Sequence, residues 1–287
     1  MYDFLSYPPV LLPVVFILGL CIGSFLNVVI YRLPVMMQNQ WRQECYDYLE
    51  QENPTPLKTP FNLAQPASTC PKCHTAIKPW QNIPVLSYLL LRGKCGHCKT
   101  PIAARYPLVE LATGALSAFV AWHIGYGPQL LALLFFTWCL ISLTMIDIDH
   151  QLLPDSITLP LLWAGLLINS QGLLTDLHSA VFGAAAGYLI LWSVYWAFKL
   201  LTGKEGMGFG DFKLLAALGA WFGWQLLPLT IILSSLVGAV LGVAMLALQG
   251  KEKSTPIPFG PYLAIAGWVA MLWGHQITGA YLQYSGS

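Results

Sequence analysis

The run LATGALSAFVAWHIGYGPQLLALLFFTWCLISLTMI, residues 111–146, contains no Asp, Glu, Lys or Arg and stops at Asp147-Ile148-Asp149-His150-Gln151-Leu152-Leu153-Pro154-Asp155. One crossing of a bilayer takes roughly 20 residues, so a run this long is a pair of spans. Gly125-Tyr126-Gly127-Pro128 supplies the turn between them. Working outward, uncharged runs also cover residues 10–30, 156–175, 177–198, 214–250 and 254–287, and the run 214–250 is broken in turn at Gly223-Trp224-Gln225-Leu226-Leu227-Pro228. The reading is an all-α polytopic membrane protein of about eight transmembrane helices. Composition agrees: 56% of the residues are hydrophobic, 9% are charged and the mean hydropathy is +0.60.

The net charge of +1 points to no nucleic-acid partner, but the placement of the basic residues is informative. Nine of the 14 Lys and Arg (Arg32, Arg42, Lys58, Lys72, Lys78, Arg92, Lys94, Lys99, Arg105) lie between the first two spans. Positive residues favour the cytoplasmic side, so this loop is expected there. Threading eight spans places Lys199, Lys204, Lys213, Lys251 and Lys253 at the same face, with Asp3 and Asp176 outside. The first span is expected to be a permanent anchor and not a cleaved signal, because no basic region precedes it. The expected organisation is a first helix over 10–32, a small cytoplasmic insert over 33–104 and a membrane core over 105–287.

Within the insert, Cys70-Pro71-Lys72-Cys73 and Cys95-Gly96-His97-Cys98 form two C-x-x-C knuckles 21 residues apart. That is just beyond the usual spacing of about 15 to 20 for a four-thiolate zinc site. Four thiolates around one Zn²⁺ make a closed, structural shell. Two disulfides or redox-active pairs are the competing readings; the reducing cytosol argues against disulfides, and the absence of a βαβ pattern around either knuckle argues against redox pairs. His74 and His97 are neighbours that could substitute as ligands, and otherwise read as surface residues. Cys21 and Cys139 read as packing residues within spans, and Cys45 is uninformative.

A carboxylate at the end of a membrane helix is costly unless it is paired, protonated or wetted, which singles out Asp147 and Asp211. On a continuing helix Asp147 and Asp149 diverge by about 200°, so at most one of them faces a given bundle interior. Asp149 reads equally well as a solvated interfacial charge, and Asp155 as a helix N-cap. Asp211 closes Gly206-Met207-Gly208-Phe209-Gly210-Asp211-Phe212-Lys213, whose glycines allow positive φ and close backbone approach. An N-capping role for Asp211 and a snorkelling one for Lys213 are the plainer alternatives. If Asp147 and Asp211 meet, like-charge repulsion favours a pair sharing one proton, which can activate water for peptide hydrolysis without a covalent intermediate.

These motifs together, with Gly23-Ser24-Phe25-Leu26-Asn27-Val28-Val29-Ile30-Tyr31-Arg32-Leu33-Pro34, Asn82-Ile83-Pro84, Arg105-Tyr106-Pro107 and Val109-Glu110-Leu111, resemble the type IV prepilin peptidases. These are bifunctional leader peptidase/N-methyltransferases of the GxGD membrane aspartyl protease class. The resemblance covers nearly the whole chain. It implies Asp147 and Asp211 as the protease pair, with Gly208, Gly210, Lys213 and Asp149 supporting them, and Cys70, Cys73, Cys95 and Cys98 as zinc ligands. It implies prepilin or pseudopilin substrates with a short basic leader, processed at the cytoplasmic face of the bacterial inner membrane in contact with lipid. It further implies methylation of the new amino terminus by S-adenosylmethionine. No nucleotide-binding glycine fingerprint locates that donor. Gly23, Ser24, Asn27 and Glu110 are its candidate contacts, with helix packing the alternative for the glycine and a buried hydrogen bond, to a neighbouring span or to Arg105, the alternative for Glu110. Gly19 and Gly23, Gly183 and Gly187, and Gly238 and Gly242 are small-residue pairs suited to packing. A transporter or proton channel would place its acids near the midplane, and a non-enzymatic scaffold would leave the aspartates without a role.

Overall fold

The fold is described from a computed structural model for residues 7–54, 60–249 and 258–286, with no side-chain description for 241–249 and Ser285. Lys58, Lys251, Lys253 and Asp3, used above to set orientation, lie outside the described residues. The described residues are mostly helical outside the irregular stretch 60–104, with no strand among them beyond the isolated bridges Thr69 to Ala76 and Lys94 to Pro101. They form two compact units, Met1–Tyr126 and Gly127–Ser287.

The first unit contains α1 (Pro8–Tyr48), the short α2 (Leu86–Leu90) and α3 (Arg105–Ile124). α1 passes the expected boundary at residue 32 and continues as helix to Tyr48. Its extension is built from helix-favouring Gln, Arg and Glu, and side-chain pairs one turn apart support it. Gln40 Nε2 donates to Glu44 Oε1 at 2.8 Å, and Gln43 Nε2 donates to Asp47 Oδ1 at 2.7 Å. α1 and α3 meet along a seam of small residues. A Cβ at Gly19 would lie 2.8 Å from Gly114 Cα, and one at Gly23 would lie 2.7 Å from Glu110 Cα. In lipid, where burial of apolar surface gives no drive between helices, such backbone contact is a main source of association. Buried Arg32 donates to the carbonyls of Asn62 and Pro66 at 2.9 and 2.7 Å, fastening the insert to α1.

The second unit holds α4 (Pro128–His150), α5 (Asp155–Asn169), α6 (Leu177–Thr202), α7 (Phe209–Phe222), α8 (Leu227–Gln249) and α9 (Gly260–Ser285). Both expected breaks are present as helix ends. Gly125 ends α3 at φ 78°, and Gly127-Pro128 starts α4 with proline in the first turn. Gly223, at φ 81°, ends α7.

Helix length departs from the count of runs. Pro8–Tyr48, Arg105–Ile124, Pro128–His150 and Leu177–Thr202 are long and apolar enough to cross a membrane, whereas Asp155–Asn169 is shorter. The run 156–175 stops being helical at Asn169 because that side chain turns the chain. Its Nδ2 donates to the Ala220 and Trp221 carbonyls at 2.8 and 3.0 Å, and its Oδ1 accepts from the Leu174 and Thr175 amides, both at 3.1 Å. Buried Asn169 thus satisfies the carbonyl end of α7 and the following turn together.

α7 is the centre of this unit. Asp211, Phe212 and every residue from Leu214 to Trp221 are buried, as expected of a helix apolar on all sides. α6 reaches it through glycine: a Cβ at Gly187 would lie 2.6 Å from the Leu215 carbonyl oxygen, and Gly183 and Gly219 are in backbone contact. On the opposite flank Gly165 admits the Trp221 ring, whose Nε1 donates to the Leu161 carbonyl at 2.8 Å. Gly238 meets the Tyr262 ring, while the packing of Gly242 falls outside the described side chains.

Candidate active site and metal centre

Asp147 lies in the last turn of α4, three residues before its end, and is 5% exposed. The chain then turns at Gln151, in the left-handed region at φ 53°, and passes Leu153 into α5. Asp147 Oδ2 accepts a hydrogen bond from the Gly260 amide at 3.0 Å, so it satisfies one of the unbonded N–H groups at the start of α9. Asp211 occupies the third position of α7, is 7% exposed, and accepts from the amide of Gly208, the residue that caps that helix. Asp211 therefore sits in the first turn of its own helix, while Asp147, in the last turn of α4, meets the first turn of α9 through the Gly260 amide. The two carboxylates also lie within electrostatic reach of each other.

Glycine allows the three elements to converge. A Cβ at Gly210 would lie 2.7 Å from Leu153 Cβ. A Cβ at Gly260 would lie 2.6 Å from Asp147 Oδ2 and 3.1 Å from Leu153 Cδ2. Leu153 is thus held between the start of α7 and the start of α9. The glycines of the loop before Asp211 act by close approach and not by positive φ: Gly208 has φ −79°, and neither Gly206 nor Gly210 is in the positive region. That corrects the backbone role expected of them. Gly260 and Leu153 were not singled out in the sequence; the signal for Gly260 was a Gly-Pro pair opening an apolar run.

Asp155 is also not the cap expected. The capping position belongs to Pro154, and Asp155 pairs with Lys213, whose Nζ lies 2.7 Å from both carboxylate oxygens. Lys213 therefore ties the first turn of α7 to the first turn of α5. Asp149 points to the exposed side, as its separation of two positions from buried Asp147 requires. The loop before α7 is anchored by Lys199, which bonds Glu205 Oε1 at 2.8 Å and Tyr195 Oη at 3.2 Å and lies over the Trp196 ring. The Tyr195 ring packs on Phe209 and Phe212, either side of Gly210 and Asp211.

In the first unit the four knuckle cysteines converge, with all four Sγ atoms within 4.8 Å of one another. Cys70 and Cys98 Sγ are 3.8 Å apart, and Cys73 and Cys95 Sγ are 4.0 Å apart. A tetrahedron of thiolates about 2.3 Å from a zinc ion has edges of about 3.8 Å, so the set fits a metal with no reshaping. Both knuckles are built alike. The Cys70 amide donates to the Thr75 carbonyl and the Cys95 amide to the Thr100 carbonyl, and the turns close through His74 and Lys99 at φ 54° and 58°. The Thr100 hydroxyl, 3.2 Å from Cys98 Sγ, and then the Thr100 backbone hold that thiol down at about 6. Thr75 lowers Cys73 in the same way. This repeat, C-x-x-C-x-T twice, was readable in the sequence and extends the motif beyond the ligands. His74 and His97 are exposed and lie outside the cluster.

Of the other candidates, Gly23 faces the α3 backbone, and Asn27 Nδ2 donates to the Tyr106 carbonyl at 3.1 Å. Both serve the α1–α3 seam. Glu110 is buried, bonds the Ser24 side chain, and accepts from the Val85 amide at 2.8 Å through Oε2. The expected neighbouring-span bond of Glu110 is therefore made, through Ser24.

Comparison with known proteins gives a consistent result. A family model for the bacterial peptidase A24 N-terminal domain matches residues 17–124, and one for the type IV leader peptidase family matches residues 134–243. Three similar proteins carry the name prepilin leader peptidase/N-methyltransferase. The one from Stutzerimonas stutzeri is 63% identical over 94% of this chain and 93% of its own length. The one from Pseudomonas aeruginosa is 60% identical over 98% and 97%. The one from Legionella pneumophila is 47% identical over 98% and 97%. No solved structure matches the chain. With similarity of this degree running from end to end, the chain belongs to the type IV leader peptidase family.

Proposed function

We propose that this protein removes the basic leader from prepilins and pseudopilins with Asp147 and Asp211, and then methylates the exposed amino terminus. The reading is supported by two buried carboxylates, from α4 and α7, that lie within electrostatic reach of each other at one end of the second unit. In the first step the ionised member takes a proton from water as the water oxygen bonds to the scissile carbonyl carbon, and the protonated member gives its proton to the carbonyl oxygen. Collapse of the resulting diol breaks the C–N bond as the now-protonated carboxyl gives its proton to the leaving amine and the other carboxylate takes the diol hydroxyl proton, which returns the pair to its shared-proton state. A channel or transporter fits less well, since both acids stand at helix termini on one side.

The cytoplasmic side is proposed for this end because Lys199, Lys204 and Lys213 gather at it, as positive residues do on that face. Zn²⁺ is proposed for the four cysteines, on the chemistry and spacing of the donor set. S-adenosylmethionine supplies an activated methyl group when bound. Of Gly23, Ser24, Asn27 and Glu110, the first and third are taken up by helix packing, so Glu110 with Ser24 is the proposed polar contact for the methylation reaction. The direct test is incubation of the purified protein with a full-length prepilin and labelled S-adenosylmethionine. Loss of the leader followed by label on the new terminus is expected; an intact prepilin would reject the reading.

Gly260 gives a finer test. A methyl group there must displace Asp147 Oδ2 while the helix itself tolerates alanine. Gly260→Ala is expected to lower kcat by about 10- to 100-fold with KM nearly constant, the cost of misplacing a reacting group by a fraction of an ångström. An unchanged kcat would show that the position of Asp147 does not matter.

A further inference from the structure

The insert carries an apolar surface that no span accounts for. α2 has five residues, too few to cross a bilayer, yet Leu86, Leu89 and Leu90 are 59%, 63% and 77% exposed. Ile83 and Trp80 extend the same exposed set. The polarity of this helix is inverted relative to a helix on a water-soluble domain, since its less exposed residues are Ser87 and Tyr88.

Two connections fix its height relative to the membrane. Val85, which opens α2 in a strained turn at φ 58°, donates its amide to Glu110 in the second turn of α3. Tyr88 Oη donates to the Ile102 carbonyl, just before that helix begins. The exposed leucines therefore lie level with Tyr106, Leu108 and Leu111, the outward-facing residues at the entrance of a membrane-crossing helix. The apolar patch continues an interface that already exists, that of α3 with lipid.

Its electrostatics select the lipid. Residues 60–104 contain Lys72, Lys78, Arg92, Lys94 and Lys99 and no Asp or Glu. Four thiolates around a divalent metal would leave that excess positive. All five basic residues are exposed, and Arg92 and Lys94 directly follow the leucines. Apolar residues at headgroup level, a tryptophan beside them and a surrounding basic field are the features of a segment lying in an anionic membrane surface.

We propose that the α2 segment is a monotopic membrane anchor, with Leu86, Leu89 and Leu90 in the headgroup–acyl boundary of anionic phospholipid and the basic residues of the insert on its phosphates. The metal-bound knuckles are thereby held against the bilayer instead of projecting freely from it.

The test uses the full-length protein in nanodiscs containing a lipid with a photoactivatable acyl chain, with adducts mapped by mass spectrometry. In phosphatidylglycerol-rich discs, adducts are expected on residues 86–90 at about fivefold or more the yield found in phosphatidylcholine discs. Adducts on α3 and α4, equal in both, serve as the internal standard. Arg92→Gln with Lys94→Gln is expected to bring the yield in anionic discs down towards the phosphatidylcholine value. Adducts confined to the long helices would overturn the proposal and leave the patch to a second copy or another protein. A yield on 86–90 indifferent to lipid charge would overturn it as well.

Discussion

Asp147→Asn and Asp211→Asn are each expected to abolish leader cleavage, with kcat/KM falling by about 10³-fold or more. The substitution isolates proton transfer from structure. Asparagine keeps an oxygen that can accept the Gly260 amide in place of Asp147, or the Gly208 amide in place of Asp211, so both helix starts retain their partners. What is lost is the ability to take up and release a proton. For carboxylates acting as one unit, as proposed, the double variant is expected to be no worse than either single one. Asp149→Asn tests the supporting role implied for that residue in the same turn: its side is exposed, and cleavage staying within about threefold of the parent would remove it from the site. Methylation of a pilin whose leader has already been removed should survive both Asn variants. A gel-based cleavage assay paired with that methylation assay separates a chemical defect from a folding one. Cleavage persisting in either variant would remove the aspartate pair from the mechanism.

The features legible in advance were those that local chemistry imposes. A bilayer excludes charge over a fixed length, so uncharged runs and their glycine-proline breaks at 125–128 and 223–228 locate helix ends without tertiary knowledge. Metal ligation imposes spacing within a knuckle, so four cysteines suffice to mark the cluster. Features that depended on contacts between distant residues were not legible. The bond from Gly260 to Asp147 joins positions 113 apart, and nothing in either local sequence specifies the other. Asp155 before a serine has the preference of a cap, yet Lys213, brought close by the fold, offers it a charged partner and Pro154 takes the capping place. Asn169 ends a helix inside an apolar run because the carbonyl end of α7 is there to receive it. α1 misled in a different way. Pro34 marks an apparent end, but the glutamines and acids beyond it carry the helix on to Tyr48.

Removal of the metal should undo the insert while leaving the membrane helices intact, and this follows from how little else holds the insert together. Among described residues 60–104, Cys70 is the only buried one, so there is no apolar core whose burial could offset the entropy of ordering the chain. Backbone bonds close each knuckle separately, and the two knuckles meet chiefly through their sulfurs. A structural zinc site contributes about 10 to 16 kcal/mol of binding free energy at neutral pH, which exceeds the whole stability of most small domains. Cys98→Ser removes one ligand of four, and the other three then present an incomplete shell. Elemental analysis of the parent protein is expected to give about one zinc per chain, and Cys98→Ser only a small fraction of that. Hydrogen exchange over residues 60–104 should rise towards the unprotected rate in Cys98→Ser and after chelation, with the long helices α4 and α6 unaffected. Iron in place of zinc would be accepted by the same four thiolates and would be apparent in the elemental ratio. A metal-free parent protein with a protected insert would show that the cysteines hold the fold by packing alone, contrary to the sparse burial around them.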